Sequence, residues 1–186
     1  MTLEARIGKA FERHQLPCTV VDLKNCLQFD SDVEDALWFT GRDWRELTKE
    51  DWETRHCGLN FFTAEALQYY LPSLLLLTML DPENYPALAL QSALYQLDRS
   101  PGLENLDPLT YRLVDLSVEE LEVLKEWLVW SSENVQDAFF GKAVNGPGDG
   151  YGRVFDTIES LRQEAELRKM IAAENGDADA GRINPQ

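Results

Sequence analysis

Apolar residues recur at helical spacing along most of the chain, and the places where that rhythm fails mark the connections. Ile7, Ala10 and Phe11 stand at i, i+3 and i+4, which predicts a helix from about Leu3 to His14 that Pro17 ends. Residues 18–29 open with β-branched side chains and fit a strand, an extended arm or irregular structure; the pattern leaves these open. Ser31 followed by Glu34 reads as a capping box for a helix through Asp35 to Phe39, stopped at Gly41. From Asp43 to His56 two tryptophans, Trp44 and Trp52, share a face if one helix is continuous, whereas Thr48 fits as the cap of a second, shorter helix.

The most apolar segment, AEALQYYLPSLLLLTML, follows a cap at Thr63. Leu67, Tyr70, Leu71 and Leu74 share one face and further leucines cover the rest, so this helix belongs in the middle of the fold. Pro72 removes a backbone donor and crowds the preceding turn, so a kink or break is expected there. Another helix is expected from Tyr85 to Leu97, before the loop DRSPGLENLDP. A second capping box, Ser117 with Glu120, opens a helix through roughly Glu133. Residues 141–152, GKAVNGPGDGYG, hold five glycines and a proline and predict a loop. A last helix is expected from Val154 to Glu174, and residues 175–186 read as a disordered tail. The expectation is therefore a mainly α chain: one compact helical domain over residues 1–174, with a kinked central buried helix and no internal repeat.

Composition narrows what such a domain does. Lys and Arg number 17 against 33 Asp and Glu, a formal charge of −16. Affinity for nucleic acid and anionic membranes rests on cationic side chains that displace counterions, so both are poor ligands and a basic protein partner is the better expectation. Three cysteines, Cys18, Cys26 and Cys57, form an odd set without a CxxC, and the chain opens without an apolar export segment, which suits a reducing cytoplasm. The longest apolar stretch, Leu71 to Leu80, has ten residues and includes Pro72 and Ser73, short of the roughly 20 needed to span a bilayer.

Little in the chain points to catalysis. His14 and His56 lack the spacing of metal-ligand pairs, so no metal or cofactor is expected. Cys57 and His56 are sequence neighbours whose side chains diverge by about 100° in a helix, too far to share a proton. The glycine-rich run lacks the order of a phosphate loop, since Lys142 precedes the later glycines. No residue is assigned a catalytic role, and the chain is not expected to be an enzyme.

The helix opened by Ser117 is the most informative feature. Leu121, Leu124 and Leu128 fall within about 60° of one another and define its core side. Glu119, Glu122, Glu126 and Glu133 lie together on another face with Trp130 at its edge. Glu122 and Glu126 repel at i, i+4, with Lys125 the only nearby relief along the helix. A second candidate lies in residues 30–53, where nine acids face Arg42, Arg45 and Lys49; Asp43, Glu46 and Glu50 are its partner-binding candidates, with Tyr151 in the glycine-rich loop as a further contact.

The residues Gly41, Arg42, Trp44, Leu47, Trp52, His56, Leu59, Phe61-Phe62-Thr63, Glu65-Ala66 and Tyr69-Tyr70-Leu71-Pro72 resemble a family of small bacterial proteins of unknown function over roughly residues 30–135. Leu67-Gln68 replaces the aromatic-basic pair of that pattern. The resemblance implies a helical domain in a bacterium and no reaction. Together these readings lead to the expectation of an immunity (antitoxin-type) protein that occludes a basic toxin such as a nuclease. The alternative is a regulatory or scaffolding domain that binds protein through the central helix or the glycine-rich loop.

Overall fold

A computed structural model describes residues 1–21, 31–95, 113, 115–135 and 150–180. Seven α-helices are present among these: α1 (Leu3–Ala10), α2 (Ser31–Trp38), α3 (Lys49–Thr54), α4 (Ala64–Leu80), α5 (Ala87–Tyr95), α6 (Val118–Asn134) and α7 (Gly150–Ala180). Short 3-10 turns cover Phe11–Arg13, Trp44–Glu46 and His56–Phe61. The chain is mainly α, as the periodicity requires, and the described residues contain no sheet. The open question over residues 18–29 is answered at one point: Val21 pairs with Phe62 in an isolated antiparallel bridge, and residues 22–30 fall outside the described ones.

Helix starts follow the side-chain chemistry. Thr2 accepts from the Ala5 amide, Thr63 from Ala66, and Thr48 and Ser117 each form a full capping box with Asp51 and Glu120. Thr48 therefore divides the Asp43–His56 stretch, and the continuous helix is not formed. Ser31 behaves differently from expectation. It is the first residue inside α2, and its hydroxyl lies 3.5 Å from the Asp32 carboxylate. Gly41, at φ +77°, takes the left-handed turn that follows α2, a conformation that costs other residues more.

Helix α4 runs unbroken through Pro72, so the expected break does not occur. Packing on nearly every side holds it: Ala66, Leu67, Tyr69, Tyr70, Leu71, Leu74 and Leu75 are buried. At one end of it lies an aromatic nest. Phe39 meets Trp52, Phe62 and Tyr70 at ring-centroid distances of 4.8, 5.1 and 5.3 Å. The polar tips in this nest are satisfied, because Tyr70 donates to the Phe39 carbonyl at 2.5 Å and Trp52 Nε1 donates to Ser73 Oγ at 3.0 Å. Gly58 lets the 56–61 turn lie against α2, since a Cβ there would sit 2.8 Å from the Ala36 amide nitrogen.

Helices α1 and α7 both pack against α6. Trp127 Nε1 donates to the Leu75 carbonyl of α4, tying α6 to the centre. Val154, Ile158, Leu161 and Ala165 are buried along α7. Helix α7 begins at Gly150, inside the expected loop, and continues to Ala180, beyond the expected end at Glu174; the rest of the loop, residues 141–149, and residues 181–186 lie outside the described residues.

Candidate partner-binding faces

Helix α6 places its side chains as the 3.6-residue period demands. Leu121, Leu124, Trp127 and Leu128 are buried, while Glu119, Glu122, Glu126 and Glu133 are exposed and Trp130 is half-buried. Val129, 42% exposed, adds apolar surface beside them. The expected acidic strip therefore exists as a surface.

Its charge is relieved in a way local spacing does not show. Arg6 of α1 forms a two-pronged ion pair with Glu126, with Nη2 donating to Oε1 at 2.9 Å. Lys125 turns away from Glu122 and Glu126 to Glu159 of α7, at 2.7 Å, and stands over the Phe155 ring. The reading that Lys125 alone relieves the strip is corrected by these tertiary partners. Arg162 joins Glu159 at 2.8 Å and Glu166 at 2.6 Å. Hydrogen bonds from Arg162 and Lys125 hold the Glu159 carboxyl down at about 2. A groove of about 540 Å³ lies over this ladder, lined by Glu122, Lys125, Glu126, Val129, Phe155 and Arg162. Glu119, Glu122 and Glu133 form no salt bridge or side-chain hydrogen bond among the described residues.

The second candidate region is rearranged by the break at Thr48. Trp44 is 6% exposed and Trp52 is fully buried, so neither is a surface anchor; their indoles fill the core once the 3-10 turn and α3 separate. Asp43 caps the turn by accepting from the Arg45 amide at 2.9 Å and pairs with the Arg45 guanidinium at 3.3 Å. Arg45 lies over Trp44. Arg42 and Arg55 lie 3.7 and 3.9 Å from the Trp38 ring centre, so Arg42 is engaged by an aromatic instead of by an acid. Glu46 and Glu50 are exposed and in no ion pair among the described residues. Beside them opens a groove of about 580 Å³, lined by Trp44, Leu47, Ser73, Leu76, Leu77, Met79 and Leu80, with Glu4 and Arg45 at its edge. The backbone of Tyr151 lies in the first turn of α7 instead of a loop, and its side chain is outside the described set.

Sequence reasoning missed a third constellation. Glu120 is fully buried and is held by Arg13 through three hydrogen bonds of 2.6 to 3.1 Å, by His14 Nε2 at 2.5 Å and by the Ser117 amide at 2.6 Å. Burial alone would raise its pKa, but the bonds from His14, Arg13 and Ser117 outweigh that and bring it to about 2. With Arg6–Glu126 at the other end, this node fixes α1 antiparallel to α6. The capping-box pattern marked Glu120 as local; its partners lie more than a hundred residues away.

His56 Nδ1 faces the Glu53 carbonyl at 3.1 Å, a local contact before α4. Among the described residues, no three His, Cys, Asp or Glu side chains gather to hold a metal, and no helix is long and apolar enough to cross a membrane.

Among the described residues the fold is mainly helical, with exposed acids beside apolar grooves. The chain belongs to the family of unknown function DUF6714, whose model matches residues 2–141, a longer span than the central motif suggested. No curated protein and no solved structure matches it. The matched span takes in α1 to α6 and ends before α7.

Proposed function

We propose that the protein is a binding module of the immunity kind, which neutralises a basic protein toxin, such as a nuclease, by covering its cationic surface. One observation carries this reading: Glu46, Glu50, Glu119, Glu122 and Glu133 stand exposed and outside any ion pair of the described residues, although Arg6, Lys125 and Arg162 close pairs with neighbouring acids. Carboxylates left this way offer charge to a second molecule, and charge complementarity raises the association rate and sets register. The acids would stand where a nuclease expects phosphates, and bulk would close the site without any chemistry.

The test is co-expression with basic nuclease toxins and with the products of the neighbouring genes. Protection of the cell and a complex that weakens as salt rises are expected, and Glu119→Lys/Glu122→Lys/Glu133→Lys should abolish both. No protection, or a complex indifferent to salt, would overturn the reading. A regulatory or scaffolding role is the second reading, favoured by the apolar walls of the 580 Å³ groove; a partner held by those walls alone would change its affinity little with ionic strength.

A further inference from the structure

The groove between α1, the 44–46 turn and the end of α4 differs from other apolar surface in its electrostatics. Its walls are Trp44, Leu47, Leu76, Leu77 and Met79, and Leu80 stands 81% exposed at the lip. Its volume falls in the range of sites that take ligands. Arg45, the one cation on its edge, is already engaged by Asp43 and by the Trp44 ring. Glu4, which also lines the groove, has no cationic partner among the described residues, and its hydrogen bond with Thr2 keeps its carboxyl below the usual range.

Helix α4 also ends here. Its last turn holds no basic residue, Asp81 caps it, and the carbonyl end of a helix carries partial negative charge. Glu4 and the carbonyl end of α4 thus give this apolar slot negative charge, and among its described lining residues no cation is uncommitted. Glu46 adjoins it through Arg45 and Leu47. A polar cationic ligand would leave the leucines wet, and a neutral apolar one would leave the acids unused.

We infer that this groove is the docking slot for a cationic amphipathic helix of the partner protein, whose apolar row lies against Leu76, Leu77, Met79 and Leu80 while its flanking lysines or arginines meet Glu4 and the end of α4. Helix-in-groove recognition works through anchors at i, i+3, i+4 and i+7, and methionine and leucine surfaces adapt to them. This rests on the proposed binding role and adds where a basic partner seats and what its segment looks like.

The probe is a fluorescent peptide of about fifteen residues with leucines on one helical face and lysines on the other, titrated by anisotropy against the full chain. A lysine-only peptide of equal charge serves for comparison. Leu80→Asp and Glu4→Lys change exposed side chains and should leave the fold intact. The Leu/Lys peptide is expected to bind more tightly than the lysine-only one, and Leu80→Asp to weaken it about tenfold. Glu4→Lys should weaken it severalfold. Leu167→Asp, on exposed α7, should leave it unchanged. Equal binding of the two peptides, an unaffected Leu80→Asp, or an equal loss in Leu167→Asp would overturn the slot while leaving the electrostatic reading standing. Failure of both peptides to bind would overturn both. Binding of dodecylamine with no binding of the Leu/Lys peptide would assign the groove to a small amphiphile and overturn the helix.

Discussion

Glu120 and Glu159 are each held by two or more cationic or polar side chains and both titrate near 2, yet they sit in opposite surroundings. Glu120 is wholly buried where the turn after α1 meets α6, and five bonds hold it against the penalty of burial. Glu159 lies on the α6–α7 surface, a quarter exposed, with Arg162 and Lys125 beside it. A depressed pKa therefore reports the bonds a carboxylate makes and says nothing alone about how much the fold depends on them. Water can replace the partners of Glu159 at little cost, and it cannot reach Glu120.

Four outcomes would sharpen that contrast. Glu120→Ala strands Arg13 and His14 and removes half of a capping box, so it should cost about 3 kcal/mol in denaturant unfolding; Arg13, half exposed, can turn to water and keeps the figure from rising further. A loss near zero would mean that the node is held by its surroundings. Acid should act through the same residue. Because its pKa is depressed, the folded state binds fewer protons than the unfolded one, so the contribution of Glu120 is complete above about 4.5 and drains as pH falls towards 2. Melting curves between these limits should steepen this loss in the native chain relative to Glu120→Gln. Ser117→Ala keeps the carboxylate bond to the backbone but removes the hydroxyl that accepts from the Glu120 amide, for about 1 kcal/mol. Arg162→Ala should have the smallest effect and none at about 1 M salt, where such surface pairs are screened; a persistent loss there would make the ladder part of the core's support.

The two regions also differ in what their sequence makes visible. The α6 face was legible because burial and exposure repeat every 3.6 residues: Leu121, Leu124 and Leu128 point inward and the glutamates outward as the wheel places them. Capping at Thr63 and Ser117 was legible because donor and acceptor lie three residues apart. Nothing local joins Arg6 to Glu126 or Arg13 and His14 to Glu120, so the pairing of α1 with α6 could not be read, and Glu120 passed for a cap alone. Trp44 and Trp52 were placed on a single face only while the helix was taken as continuous; the cap at Thr48 turned both indoles into core. Charge in the candidate faces was visible as a count, and which acids stay unpaired depended on the fold.

The placement of the indoles gives the molecule its own optical instruments. Trp52 is sealed in the aromatic nest and Trp127 is sealed against the central helix on the Glu120 side, so both should emit towards the blue. With the other tryptophans replaced by phenylalanine, each reports its own contact with α4, at Ser73 or at Leu75, through its red shift on wetting. Whether the two contacts let go together or in turn becomes a question of colour against time.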